Sequence, residues 1–184
     1  MTLAKAKTIS DMLAAWVSIL AAVFAGWWAL TEYRGEIHKS QVERVLAYLH
    51  DFDSPENSAS RTKLFQALQD QQHEIDAVLT NDKQPIEEIN RLYSQLIVQT
   101  VDSGDRFADF LSVAQLLEEI SLCVNKSLCD GETVQLFFLR EGRGFVRTWM
   151  PYICKLRRDW NMPEFESQAE RYFNPSAAGK ACPS

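Results

Sequence analysis

Seven side chains in the C-terminal half have the types and spacing for recognition chemistry. Between Arg140 and Arg158 there are six basic residues and one acid, Glu141. On a continuous helix Arg140, Arg143, Arg147, Lys155 and Arg158 share one face, and Trp149 and Tyr152 stand in the same stretch. Cations massed on one face attract anions: a phosphorylated ligand, lipid headgroups, an acidic protein surface or, as the weakest candidate, nucleic acid. The plainer reading is a solvated face that pairs with the acidic part of the same domain. Residues 51–119 carry fourteen acids against five bases, and exposed pairs of this kind contribute little. The "GRG" at 142–144 lacks the strand before and the Lys-Ser/Thr after that a phosphate loop requires.

Other chemistry finds little support. The three histidines are His38, His50 and His73. Asp70 and His73 stand one turn apart, as do Asp105 and Asp109, but a helical di-metal site needs Glu-x-x-His on two helices and further carboxylates. No metal ligands and no cofactor are expected. The four cysteines, Cys123, Cys129, Cys154 and Cys182, have no paired C-x-x-C spacing for zinc. They suggest no disulfide framework either, which favours a reducing compartment, although Cys123 and Cys129 can be bridged in an oxidising one. There is no G-x-S-x-G, and no histidine beside a cysteine. No catalytic residue is expected, and the reading is non-enzymatic.

The elements that hold these residues begin with an apolar stretch. Residues 12–31 hold no charge, and in the nineteen from Met12 to Leu30 only Ser18 is polar. A helix of that length covers roughly 29 Å, against a hydrocarbon core of about 30 Å. Trp16, Ile19, Val23, Trp27 and Leu30 occupy one face, and Leu13, Val17, Leu20, Phe24 and Trp28 another. A soluble amphipathic helix would keep one polar stripe. Trp16 near one end and Trp27, Trp28 and Tyr33 at the other match interface-seeking rings. A cleaved signal has a shorter apolar region and a small-residue cleavage site, which "GWWAL" does not offer. "TISD" at 8–11 is the expected helix start. A transmembrane helix over 12–31, after a flank at 1–11, is the expectation. Lys5 and Lys7 before it and Arg34, Lys39 and Arg44 after it nearly balance, so the positive-inside rule decides little. The cysteines tip the body towards the cytoplasm.

Residues 32–173 are expected to form an all-α domain, a bundle of about five to seven helices, with a loose tail at 174–184. Val42, Val45, Leu46, Leu49 and Phe52 repeat at helical spacing, with Gly35 as a separator or bend. Ser54 caps and Pro55 opens the next helix, whose stripe runs from Leu64 and Leu68 through Gln72 to Ile75 and Leu79. Ile86 to Ile97 makes another. Phe107, Phe110, Leu111, Ala114, Leu117, Ile120 and Val124 form the cleanest apolar face. Asp130 caps a short helix, "EGRG" interrupts it, and Phe145 to Leu156 resumes.

The C-terminal half resembles a family of bacterial membrane-anchored helical domains of unknown function. The likeness lies in "FLSVAQLLEEISLCVNKSLCDGETV" leading into "FVRTWMPYICKLRRD" and then "PEFESQAERYF". It extends from Leu30 to Phe173, weakly before Phe107, and departs at "REGRG", where a shorter glycine turn is usual. It implies a single-pass protein of the bacterial inner membrane and no catalytic residues. The combined expectation is a membrane-anchored helical protein acting through protein–protein contacts or self-association, with the bilayer as its other partner. The alternative is a tethered sensor or effector that binds an anionic ligand through Arg140, Arg143, Arg147 and Arg158.

Overall fold

The computed structural model describes residues 3–81, 84–176 and 182, with side chains from Trp16 onward. Among them are seven helices and no strand: α1 Leu3–Phe52, α2 Pro55–Asp70, α3 Gln72–Leu79, α4 Ile86–Asp102, α5 Phe107–Asn125, α6 Gly131–Asp159 and α7 Ser167–Phe173. The chain divides into two units, Met1–Gln41 and Val42–Ser184.

The first unit holds helix α1 as far as Gln41. It starts at Leu3, so Thr8 and Asp11 lie inside the helix rather than at its cap, and it continues through Gly26 and Gly35 without a break. Neither glycine has any neighbouring atom near its Cα that a side chain would meet, so each costs helix propensity but does not stop the helix. Trp16, Val17, Ile19, Leu20, Val23, Phe24, Trp27, Trp28 and Leu30 are 47–67% exposed, on all sides. Residues 12–15 of the expected span lie outside the described side chains. Among the described residues no helix is long and apolar enough to cross a membrane. The described part of the run, Trp16 to Leu30, is fifteen residues, about 22 Å of helix.

The second unit is an all-α body. Its centre is α5, which packs against α2 on one flank and α7 on another, while α4 pairs with α6 and α3 with α4. The expected stripe on α5 is the core: Phe110, Ala114, Leu117 and Ile120 are at most 1% exposed. They meet Val45 and Phe52 from the end of α1, Ile97 and Val101 from α4, and Val134, Phe138, Val146 and Ile153 from α6. Phe110 is the hub of an aromatic cluster, with ring centroids 4.8 Å from Tyr152, 5.6 Å from Phe145 and 6.2 Å from Trp149.

Local signals explain several boundaries. Ser54 Oγ accepts from the Asn57 amide at 3.3 Å with Pro55 following, which satisfies one of the free amides of the first turn. Asp130 Oδ1 accepts from Thr133 N at 2.8 Å at the start of α6. Asp130→Ala is expected to lower stability by about 1 kcal/mol, measurable as a shift in the urea midpoint at unchanged slope. The stripe expected to run unbroken from Leu64 to Leu79 is divided at Gln71 (φ −100°, ψ 6°). The reason is tertiary: Thr100 Oγ1 of α4 lies 2.6 Å from Gln71 Oε1.

The largest departure is α6, which the glycines and Pro151 were expected to interrupt and which instead runs unbroken for 29 residues. Pro151 supplies no N–H, so the Arg147 carbonyl loses its donor in the helix ladder; the packing of both halves of α6 in the core outweighs that loss. Gly142 is a requirement of close approach. A Cβ there would stand 2.6 Å from ring carbons of Phe173, so glycine lets the fully buried Phe173 of α7 lie against the α6 backbone.

The cysteines also correct the sequence expectation. Cys123 is bonded to Cys129, with Cα atoms 5.2 Å apart, and Cys154 to Cys182, 5.5 Å apart. The first bond closes the turn from α5 to α6, where the Leu128 and Cys129 amides both approach the Cys123 carbonyl at 2.9 and 3.2 Å. The second ties the C-terminal segment, expected to be loose, back onto α6 at Cys182; residues 177–181 and 183–184 lie outside the described set. The Cys123–Cys129 bond is the pairing that an oxidising setting was expected to allow, whereas Cys154 and Cys182 meet only when α6 has folded. The inference to a reducing compartment, drawn from unpaired cysteines, loses that support.

Candidate functional site

The unbroken α6 does put the five basic candidates on one side of a helix, and Arg140, Arg143 and Lys155 have partners of their own there. Arg140 is exposed and pairs with its neighbour Glu141 at 3.1 Å. Arg143 Nε points to the Phe173 carbonyl at 3.5 Å. Lys155 Nζ sits 3.0 Å from Asp159 and 3.6 Å from Asp102, and these carboxylates, the Asp159 hydrogen bond first, hold its ammonium above the ordinary lysine range. Arg147 and Arg158 are exposed. Arg157, which was not singled out, is a half-buried cation of the segment: it donates to Glu170 Oε2 and to the Phe165 carbonyl, both at 2.8 Å.

The two aromatic candidates are core residues. Trp149 is 3% and Tyr152 2% exposed, so neither offers a contact surface. Tyr152 donates its hydroxyl to Asp102 Oδ1 at 3.0 Å; burial and then the Asp102 carboxylate push its phenol well above the usual range. Trp16, Trp27, Trp28 and Tyr33, the interface candidates, are 60–67% exposed.

Where α4 faces the second half of α6 there is a groove of about 1030 Å³. Glu87, Arg91, Gln95, Val98 and Asp102 stand along the α4 wall, and Pro151, Cys154, Lys155 and Arg158 along the other. Arg91 is bidentate to Glu88, at 2.8 and 2.6 Å, so much of the positive charge is already neutralised. Of the metal candidates, Asp109 accepts from Ser60 at 2.8 Å and pairs with Lys63 at 3.0 Å. Asp70 and His73 are exposed on either side of the break at Gln71.

A different constellation gathers around α7. The Glu118 carboxylate of α5 receives the Gln168 and Ala169 amides at 3.2 and 2.7 Å, capping α7 from another helix. Glu166, at the N-cap of α7 with φ 55° and ψ 26°, is 4% exposed, and its Oε2 accepts no hydrogen bond. Burial first, and Glu118 second, push its carboxyl up to about 8, against the pull of Arg157. Glu170 is also 4% exposed, with one oxygen on Arg157 and Oε1 unpartnered. Buried carboxylates with open lone pairs are uncommon. Sequence reasoning missed this group because Glu118 and Glu166 lie on separate elements and nothing in their local pattern joins them. Comparison of the chain with protein-family models, with curated proteins and with solved structures finds no match, so the likeness drawn from the C-terminal half remains an expectation.

Proposed function

We propose that this protein is a membrane-anchored helical domain that works through contacts with another protein, with residues 12–31 as its single transmembrane anchor and the body on the oxidising face of the membrane, periplasmic for a bacterial inner membrane. The observation that carries the reading is the exposure of nine large apolar side chains on every side of α1 between Trp16 and Leu30. Each such side chain gains about 1.5–3 kcal/mol on leaving water, so an all-round apolar surface favours acyl chains over solvent. Support for the oxidising face comes from the two disulfides. No side chain has a role in this reading that requires turnover of a substrate; it is a binding function.

The anchor is tested by fractionation. The full chain is expected to stay with membranes through an alkaline carbonate wash and to leave with mild detergent, whereas Val23→Arg with Phe24→Arg moves it into the supernatant, since an arginine at the bilayer centre costs about 2.5–3.5 kcal/mol on insertion scales. Release of the unaltered chain by carbonate defeats the proposal. The second reading, an anionic-ligand sensor, draws on the α4–α6 groove and its Lys155 and Arg158. It is the weaker one, because Lys155 already faces two carboxylates.

A further inference from the structure

The two disulfides of the body differ in how a reagent can reach them. Cys123 and Cys129 are 7% and 3% exposed, closed inside the turn from α5 to α6. Cys154 is 2% exposed on α6, but its partner Cys182 is only half-buried. We propose that Cys182 is a thiol–disulfide exchange site, at which the cysteine thiol of a dithiol oxidoreductase opens the Cys154–Cys182 bond and, in reverse, re-forms it.

Access, charge and chain position carry the assignment. Exchange begins with a thiolate on one disulfide sulfur, so a bond between two buried cysteines resists it and a bond with one reachable cysteine admits it. Arg157 supplies the charge: its Nη1 lies 4.0 Å from Cys182 Sγ. Its Nε and Nη2 are fixed by the Phe165 carbonyl and Glu170, so the guanidinium is held beside the sulfur. A fixed cation there favours an approaching thiolate and the anionic sulfur that cleavage leaves. Chain position separates the two bonds again. Cys129 directly precedes Asp130, the cap of α6, whereas Cys182 stands 28 residues after Cys154 and beyond α7, the last helix among the described residues. Opening the second bond therefore breaks no helical hydrogen bond.

In the opening direction the partner's thiolate attacks Cys182 Sγ. A sulfur–sulfur bond forms to the partner, the bond to Cys154 breaks, and Cys154 leaves as a thiolate that takes up a proton. The partner's second thiolate then attacks the partner's own sulfur in the mixed disulfide. Cys182 is released as a thiolate beside Arg157, and the partner is left with a disulfide. Two electrons and two protons pass from the partner to this chain, and closing is the same path reversed, with Cys182 as the attacking thiolate. This gives the protein-contact reading above a partner class, but fractionation judges the anchor and thiol labelling judges the bond, so either can fail alone.

The test is thiol labelling with mass spectrometry on the full chain in neutral detergent. With dithiothreitol as probe, Cys154–Cys182 is expected to open about tenfold or more faster than Cys123–Cys129, with the helical circular dichroism unchanged. The Cys182 thiol of Cys154→Ser is expected to take iodoacetamide about tenfold or more faster than the Cys154 thiol of Cys182→Ser. Thioredoxin whose second cysteine is replaced by serine is expected to be trapped on Cys182 of the unaltered chain. Opening of Cys123–Cys129 first or at the same rate, opening only with loss of the helical signal, equal alkylation in the two variants, or thioredoxin trapped on Cys154 overturns the site. Opening by dithiothreitol with no thioredoxin trapped overturns a protein as the partner.

Discussion

Trp149→Ala lowers the unfolding free energy by about 3–5 kcal/mol, the range for emptying a fully buried large aromatic position. Trp149 is 3% exposed and lies against Phe110 and Phe145, with centroids 6.2 and 6.3 Å away. Its removal opens a void at the junction of α5 and α6 that neither helix can close, because the rings on both sides are themselves packed. Arg140→Ala, two turns earlier on the same helix and with a side chain 94% exposed, shifts stability by less than about 0.5 kcal/mol. Denaturant melts of the full chain in neutral detergent, followed by circular dichroism, separate the two. A Trp149 that anchored a partner rather than the core would leave the melt unchanged.

Glu166→Gln is expected to do the opposite and stabilise the protein, by an amount that depends on pH. The carboxyl titrates near its ordinary value of 4.5 in the unfolded chain and near 8 in the fold. Below pH 4.5 both states hold the proton and the group contributes no pH dependence. From there up to about 8 the unfolded chain releases the proton while the fold retains it, so stability falls as pH rises, by at most about 1.4 kcal/mol per unit. At neutral pH the loss is on the order of 3 kcal/mol, and the glutamine, which cannot ionise, avoids it. The difference between wild type and variant should therefore be small at pH 4, grow through pH 7 and level off above pH 8. Parallel stability curves for the two proteins would show that Glu166 is not held protonated.

How much of this was legible in the sequence depends on the range of the interaction. Signals confined to one helical turn were readable: Ser54 with Pro55, Asp130 with Thr133, and the α5 stripe of Phe110, Ala114, Leu117 and Ile120 follow from spacing and donor–acceptor chemistry. Features set by contacts across the fold were not. Gly142, Gly144 and Pro151 carry a local bias against helix that the packing of α6 overrides, and the division at Gln71 answers to Thr100, far along the chain. Trp149 and Tyr152 looked like contact residues because aromatic types serve both cores and interfaces, and only burial separates the uses. The shared basic face on α6 was read as conditional on a helix that the glycines and Pro151 argued against, and the pairing of Lys155 with Asp102 across the fold was invisible. The constellation around Glu166 was invisible for the same reason, since α5 and the start of α7 must meet before Glu118 and Glu166 become neighbours.

The missing side chain at position 142 and the ring at position 173 amount to one decision written in two places. A knob on the short last helix occupies the volume that any other amino acid at the glycine would claim, so neither site is free to vary alone. Drift at this seam has to move as a pair, a smaller residue at 173 accompanying any bulk gained at 142. A glycine that looks in isolation like a weak point in a long helix is a keyhole, cut to the outline of a phenyl ring.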